Sequence, residues 1–131
     1  MTVPESELSG GCLCGGIRFR SAMPSEVAIC HCRSCRRAAG AEAVAWATVP
    51  KSGFSLAGEL AVFVSSPGVR RGFCRACGTS LTFDNGGDTI DVTVASLDHP
   101  ETLPPTKEIW LDHRLSWVAV DPGRSLLPRG G

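Results

Sequence analysis

Lysine is nearly absent from this chain. Of its 13 basic residues only Lys51 and Lys107 are lysine, and the remaining eleven are arginine. Net charge is missing as well, since 13 acidic residues balance the basic ones. These two absences argue against the lysine-rich, basic surface with which a small protein holds nucleic acid or an anionic membrane. The cationic charge that remains sits on the side chain whose planar fork suits carboxylates. Long apolar runs are lacking too: none approaches the ~20 residues that cross a bilayer, so no membrane partner is expected. The opening Met1-Thr2-Val3-Pro4-Glu5-Ser6-Glu7 has neither the basic start nor the apolar stretch of a secretion signal. A cytoplasmic location is therefore expected, where thiols stay reduced.

Helix signals are also scarce. The best is a short turn from Ser34 to Ala39, rich in Arg and Ala and ended by Gly40. Strand patterns fill most of the rest. They run over Ile17–Arg20, Val44–Val49 stopping at Pro50, Leu60–Val64 before Ser65-Ser66-Pro67-Gly68, Thr89–Val94, Glu108–Leu111 and Ser116–Val120. Many short strands with turn signals between them predict a mostly β domain. Its expected extent is 10–121, flanked by flexible tails at 1–9 and 122–131, the second rich in Pro and Gly. Trp46, Trp110 and Trp117 are expected in the core.

What the chain has in quantity is cysteine. Seven is an odd number, so a pure disulfide framework leaves one over, and inert buried thiols would be scattered. These are grouped. Cys12-Leu13-Cys14 lies between glycine pairs, and Cys74-Arg75-Ala76-Cys77 is followed by Gly78, whose freedom lets the backbone turn back on the thiols. Two such pairs make a closed, four-sulfur zinc site of the structural kind. Joining them closes a loop of about sixty residues at an entropic cost of roughly 3–4 kcal/mol, against apparent zinc-binding energies of roughly 10–16 kcal/mol in finger peptides. The third group, Cys30-His31-Cys32-Arg33-Ser34-Cys35, offers three sulfurs and leaves a fourth position open, the catalytic arrangement. In an extended segment His31 points away from Cys30 and Cys32, so it is not expected among the ligands. Arg33, Arg36 and Arg37 lie beside the trio in sequence, and Arg70, Arg71 and Arg75 beside the second pair. As a group they could offset thiolate charge and receive the carboxylates of an anionic substrate.

These stretches resemble the glutathione-dependent formaldehyde-activating enzyme family, which includes centromere protein V. The resemblance is carried by Gly11–Gly15, Cys30–Arg37 with Gly40-Ala41, Ser65–Thr79, Leu97–Pro100, and Ile109-Trp110 with Trp117, spanning about residues 10 to 120. It implies a β-tent, a fold of antiparallel sheets folded over around a structural zinc. It also implies that Cys12, Cys14, Cys74 and Cys77 hold that zinc, and that Cys30, Cys32 and Cys35 hold a second, more labile catalytic one. The implied activity is a carbon–sulfur lyase reaction on glutathione or a thiol–aldehyde adduct, of the S-hydroxymethylglutathione synthase type. One departure stands out: relatives often carry His shortly before the Ile-Trp pair, where this chain has Glu108. His31, Asp98, His99 and Glu108 are the candidates for proton transfer. Two rival readings remain at this stage, a zinc-stabilised module binding an acidic protein or nucleic acid, and a redox or metal-handling protein using the trio as reactive thiols. Self-association into a homo-oligomer is left open.

Overall fold

The computed structural model describes residues 7–130. Within them lie eleven strands: β1 Glu7–Gly11, β2 Arg18–Ala22, β3 Glu26–Cys30, β4 Val44–Pro50, β5 Ser55–Ala57, β6 Leu60–Ser66, β7 Val69–Cys74, β8 Ser80–Asp84, β9 Thr89–Thr93, β10 Lys107–Ile109 and β11 Ser125–Leu126. One α-helix, α1, covers Arg33–Ala39, and three single turns of 3-10 helix follow β9. The fold is mostly β, as expected, with its one helix beside the cysteine trio. Gly40 ends that helix in the left-handed region, φ 63°, with its amide on the Arg36 carbonyl, a conformation costly for any residue with a Cβ.

The strands form two open sheets. The smaller runs β1-β2-β5 and the larger β11-β10-β3-β4-β9-β8-β7-β6. Pairing is antiparallel except at β10, which runs parallel to both β3 and β11. Alternation along the strands decides which side chains meet. Leu8 and Phe19, with Ile17 just before β2, pack against Val27, Ala47, Val49, Leu81, Ile90 and Val92 to make the main core. Gly10 is packed so closely between β2 and the turn after β9 that a Cβ there would lie 2.6 Å from Phe19 Cζ and from the Ser96 carbonyl. The other face of the larger sheet carries a second cluster of Cys30, Cys35, Val44 and Trp46.

Three sequence expectations change. Ser116–Val120 is turn and irregular chain rather than strand. The edge of β10 it would have used is taken by β11, so the segment has no ladder to join, and only Val118 is buried. The flexible tails shrink for the same reason. Residues 7–9 belong to β1, held by β2, and Ser125–Leu126 close the larger sheet, while residues 1–6 and 131 lie outside the described residues. Of the three tryptophans expected in the core, Trp46 is buried and Trp110 half-buried, but Trp117 is 71% exposed.

Candidate metal centres and active-site cleft

Cys12 and Cys14 flank the turn that leaves β1, and Cys74 and Cys77 the turn that leaves β7. Each turn is closed by its own backbone, with Gly15 N–H on the Cys12 carbonyl at 3.1 Å and Gly78 N–H on the Cys74 carbonyl at 2.8 Å. Gly15 and Gly78 have φ of 79° and 82°, which explains the glycine after each pair. The Thr79 hydroxyl joins the turns by accepting the Leu13 amide at 3.0 Å. It also lies 3.2 Å from Cys77 Sγ, and this bond, with backbone donors, holds the Cys77 thiol down at about 5. The four sulfurs lie within 4.8 Å of one another, with Cys12–Cys14 at 3.5 Å and Cys14–Cys74 at 3.7 Å. A tetrahedron with zinc–sulfur bonds of about 2.3 Å has sulfur–sulfur edges of about 3.8 Å. The donor set and its spacing therefore fit zinc, and none of the seven cysteines is in a disulfide.

The trio is built differently. Cys30 ends β3, Cys32 caps α1 by accepting the Cys35 amide at 3.3 Å, and Cys35 lies in the helix's first turn. Their sulfurs also lie within 4.8 Å of one another, and no fourth metal-ligating side chain joins them among the described residues. His31 turns the other way, as extended backbone requires, and meets Glu108 with Nε2–Oε1 at 2.7 Å, both side chains 1% exposed. Hydrogen bonds from Cys30 and Cys35, with Arg71 close by, hold the Cys32 thiol far below its ordinary range against the effect of burial. Cys30, which keeps its proton and donates it in a hydrogen bond to Cys32, and which is buried, is pushed far up. Three sulfurs gathered this closely suit a divalent cation, which favours their thiolate forms.

Arg71 is the basic residue that reaches the trio, although sequence grouped it with Cys74 and Cys77. Its Nη1 donates to Cys35 Sγ at 3.6 Å, its Nε to the Ser65 hydroxyl at 3.2 Å, and its guanidinium lies 5.0 Å from the centre of the Phe83 ring. Arg75 pairs with Glu59 on the surface, and Arg33 and Arg37 are exposed.

The trio opens onto a cleft of about 640 Å³ over one face of the larger sheet. Cross-strand register fixes its floor. Glu26 faces Thr48, Thr48 faces Asp91, Asp91 faces Phe83 and Phe83 faces Arg71, in one row from β3 to β7. Trp46 lies one step nearer the trio, and Trp110 and His113, stacked with ring centres 5.0 Å apart, line the cleft as well. Of the four proton-transfer candidates named from sequence, none lines this cleft. Asp98 is held by Ser9 and Arg18 where β1 meets the turn after β9, His99 is exposed, and His31 and Glu108 are buried against each other. His113 and Asp91 were not singled out by sequence; Asp91's only signal was its place on the polar side of an alternating strand.

Residues 7–113 match the glutathione-dependent formaldehyde-activating enzyme family, both cysteine groups included. The chain belongs to that family. A relative in Schizosaccharomyces pombe named an uncharacterized lyase is 32% identical over 82 residues, 62% of this chain and 58% of that one. The match thus spans a little over half the length of that curated relative. A crystal structure of a Rhodobacter sphaeroides protein has the same fold, with a TM-score of 0.60 and 21% identity over 91% of this chain and 98% of that one. No helix among the described residues is long and apolar enough to cross a membrane.

Proposed function

We propose that this chain is a cytoplasmic, zinc-dependent carbon–sulfur lyase-type enzyme that makes and breaks the adduct of a small thiol, glutathione in the first instance, with an aldehyde. The observation that carries this reading is the asymmetry of the two centres. Cys12, Cys14, Cys74 and Cys77 supply four sulfurs and close their site, whereas Cys30, Cys32 and Cys35 supply three at the mouth of a cleft. Zinc at the trio would supply a Lewis acid that favours the thiolate form of a thiol bound there.

The chain's own residues do the rest. The trio fixes the sulfur's position, and Arg71 offsets thiolate charge beside Cys35. Trp46, Phe83 and Trp110 line the cleft with aromatic surface that limits water around a small aldehyde. In the forward direction sulfur bonds to the carbonyl carbon, the carbon–oxygen π bond opens, and the proton lost by the thiol ends on the new hydroxyl oxygen. His113 is placed to carry that proton, as the one imidazole lining the cleft. In the reverse step His113 takes the proton from the hydroxyl and passes it to sulfur as the carbon–sulfur bond breaks and the carbonyl re-forms.

The test is zinc content and activity in wild type and Cys32→Ser. Two zinc per chain in the wild type, and one in a variant that keeps its far-ultraviolet circular dichroism but loses glutathione-dependent aldehyde turnover, is the expected result. His113→Gln should lower turnover on the order of 10²-fold or more with metal content unchanged. Full activity in Cys32→Ser, or its failure to fold, refutes the assignment of the open centre.

A further inference from the structure

Asp91 is a carboxylate that lacks a counter-charge. It sits half-buried on the cleft floor, where its Oδ1 accepts the Thr48 hydroxyl at 2.7 Å. Among the described residues no Lys, Arg or His pairs with it; of the other basic residues lining the cleft, Arg33 lies at the start of α1 beside the trio and His113 stacks on Trp110. Lys107 is paired with Glu26, Lys51 with Asp84, and Arg71 with Ser65 and Cys35 across the Phe83 ring. A half-buried carboxylate in this position loses hydration without recovering it from a partner. Burial accordingly raises its pKa, with Glu26 adding to the shift and the Thr48 bond opposing it.

Register locates this carboxylate relative to the sulfurs. Cys30 lies four residues along β3 from Glu26, and Asp91 lies two strands across from Glu26 in the same row. Strand rise and spacing put the two backbones roughly 16 Å apart. Allowing for both side chains and a metal–sulfur bond, on the order of 10 Å separates a bound sulfur from a group held by Asp91.

We propose that Asp91 anchors a cationic ammonium group of the substrate, so that the thiol this cleft selects is an extended aminothiol with its amine at the end of the molecule away from sulfur. Rests on the thiol reading above, this assignment adds the residue that decides which thiol enters. Arg71 is tied to Cys35 and Ser65 at one end of the row and Glu26 is matched by Lys107 at the other, which leaves Asp91 the uncompensated charge between them.

The experiment is calorimetric titration of the zinc-loaded protein with glutathione, N-acetylglutathione and S-methylglutathione. Wild type should bind glutathione on the order of 10- to 100-fold more tightly than its N-acetyl form, the range of one charge-assisted hydrogen bond. Asp91→Asn should reduce that preference to within about twofold by weakening glutathione alone, since both compounds keep their thiol. Asp91→Glu should restore part of it. Thermal unfolding of Asp91→Asn should match wild type, because the amide still accepts from Thr48. If that variant nevertheless fails to fold, Thr48→Val, which unmoors the carboxylate, must lower the preference in its place. Equal affinity of wild type for the two thiols, or an undiminished preference in Asp91→Asn, overturns the assignment of Asp91. S-methylglutathione separates the two levels: if capping sulfur leaves affinity unchanged while the Asp91-dependent preference persists, the thiol reading falls and the amine anchor stands.

Discussion

Replacing Glu108 should cost more stability than replacing any other charged residue of the larger sheet. Its carboxylate is 1% exposed and saturated: Oε1 meets His31 Nε2 at 2.7 Å, and Oε2 accepts the Asp121 amide at 2.9 Å and Arg124 Nη1 at 3.2 Å. Burial alone would raise its pKa, but the Asp121 amide, His31 and Arg124 together outweigh that and hold it below the ordinary carboxylate range. In Glu108→Ala the imidazole of His31 loses its partner while its Nδ1 already has none. A buried ring with both nitrogens unpaired, in a pair broken from one side, costs about 3–5 kcal/mol. Arg124, a quarter exposed, can turn to water and adds little. With an unfolding entropy of about 2.1 cal/mol/K per residue, each kcal/mol moves the melting temperature of a chain this long by roughly 3–4 °C. The expected fall is therefore about 10–20 °C, read by calorimetry on zinc-loaded protein with metal content checked in both samples. Glu108→Gln keeps a carbonyl oxygen for the Asp121 amide and can donate its NH2 to His31 Nε2 once the imidazole proton sits on Nδ1, so it should lose only about 1–2 kcal/mol. A melting temperature for Glu108→Ala within about 3 °C of wild type would show that the network is not the staple described.

Two further predictions concern the frame. In Gly72→Ala the new Cβ lies 2.2 Å from Thr82 Oγ1 and 2.7 Å from Leu60 Cδ2, on a strand held from both sides. Overpacking of that kind should cost about 1–3 kcal/mol in urea unfolding, and an unchanged midpoint would count against the packing of β6 on β7. Asp98 is held below the ordinary carboxylate range by Arg18 and then Ser9. A carboxylate whose folded pKa is depressed adds stability above its unfolded pKa of about 3.9 and loses it as pH falls through the folded value. Since Arg18 is half exposed, the effect should stay below about 1 kcal/mol. Asp98→Asn should flatten that part of the urea midpoint between pH 3 and 5, and an acid limb identical to wild type would show that the pair contributes nothing.

The parts of this protein that sequence reveals are those that depend on neighbours in the chain. Thr89–Thr93 alternates and is a strand, Gly40 ends a helix, and each of the three cysteine groups brings its own sulfurs together over a few residues. His31 points away from the trio, as extended geometry demands, but its partner stands 77 residues later and no local pattern names it. The cleft is harder still to foresee. Asp91, Phe83 and Arg71 share its floor only because β9, β8 and β7 pair in one particular register, and a shift of one residue would send each side chain to the other face. Ser116–Val120 shows the converse. Its residues suit a strand, yet the place beside β10 is filled by Ser125–Leu126, and intrinsic preference without a partner makes no sheet.

The two cysteine groups also separate exposure from reactivity. Cys14 is exposed and Cys77 half-buried, so the four-sulfur group is the more open to solvent, whereas Cys30 and Cys35 are both buried. Judged by accessibility alone, the first group would be the reactive one. Ligand count reverses that order. Four sulfurs leave a tetrahedral metal no position to offer, and the group joins the turn after β1, in the smaller sheet, to the turn after β7, in the larger. On the proposed reading three sulfurs would leave one position free, beside a cleft whose walls come from strands that the first group helps to hold in place. On this argument removal of metal by a chelator should proceed in two stages, first with loss of chemistry and only later with loss of the packing between the sheets.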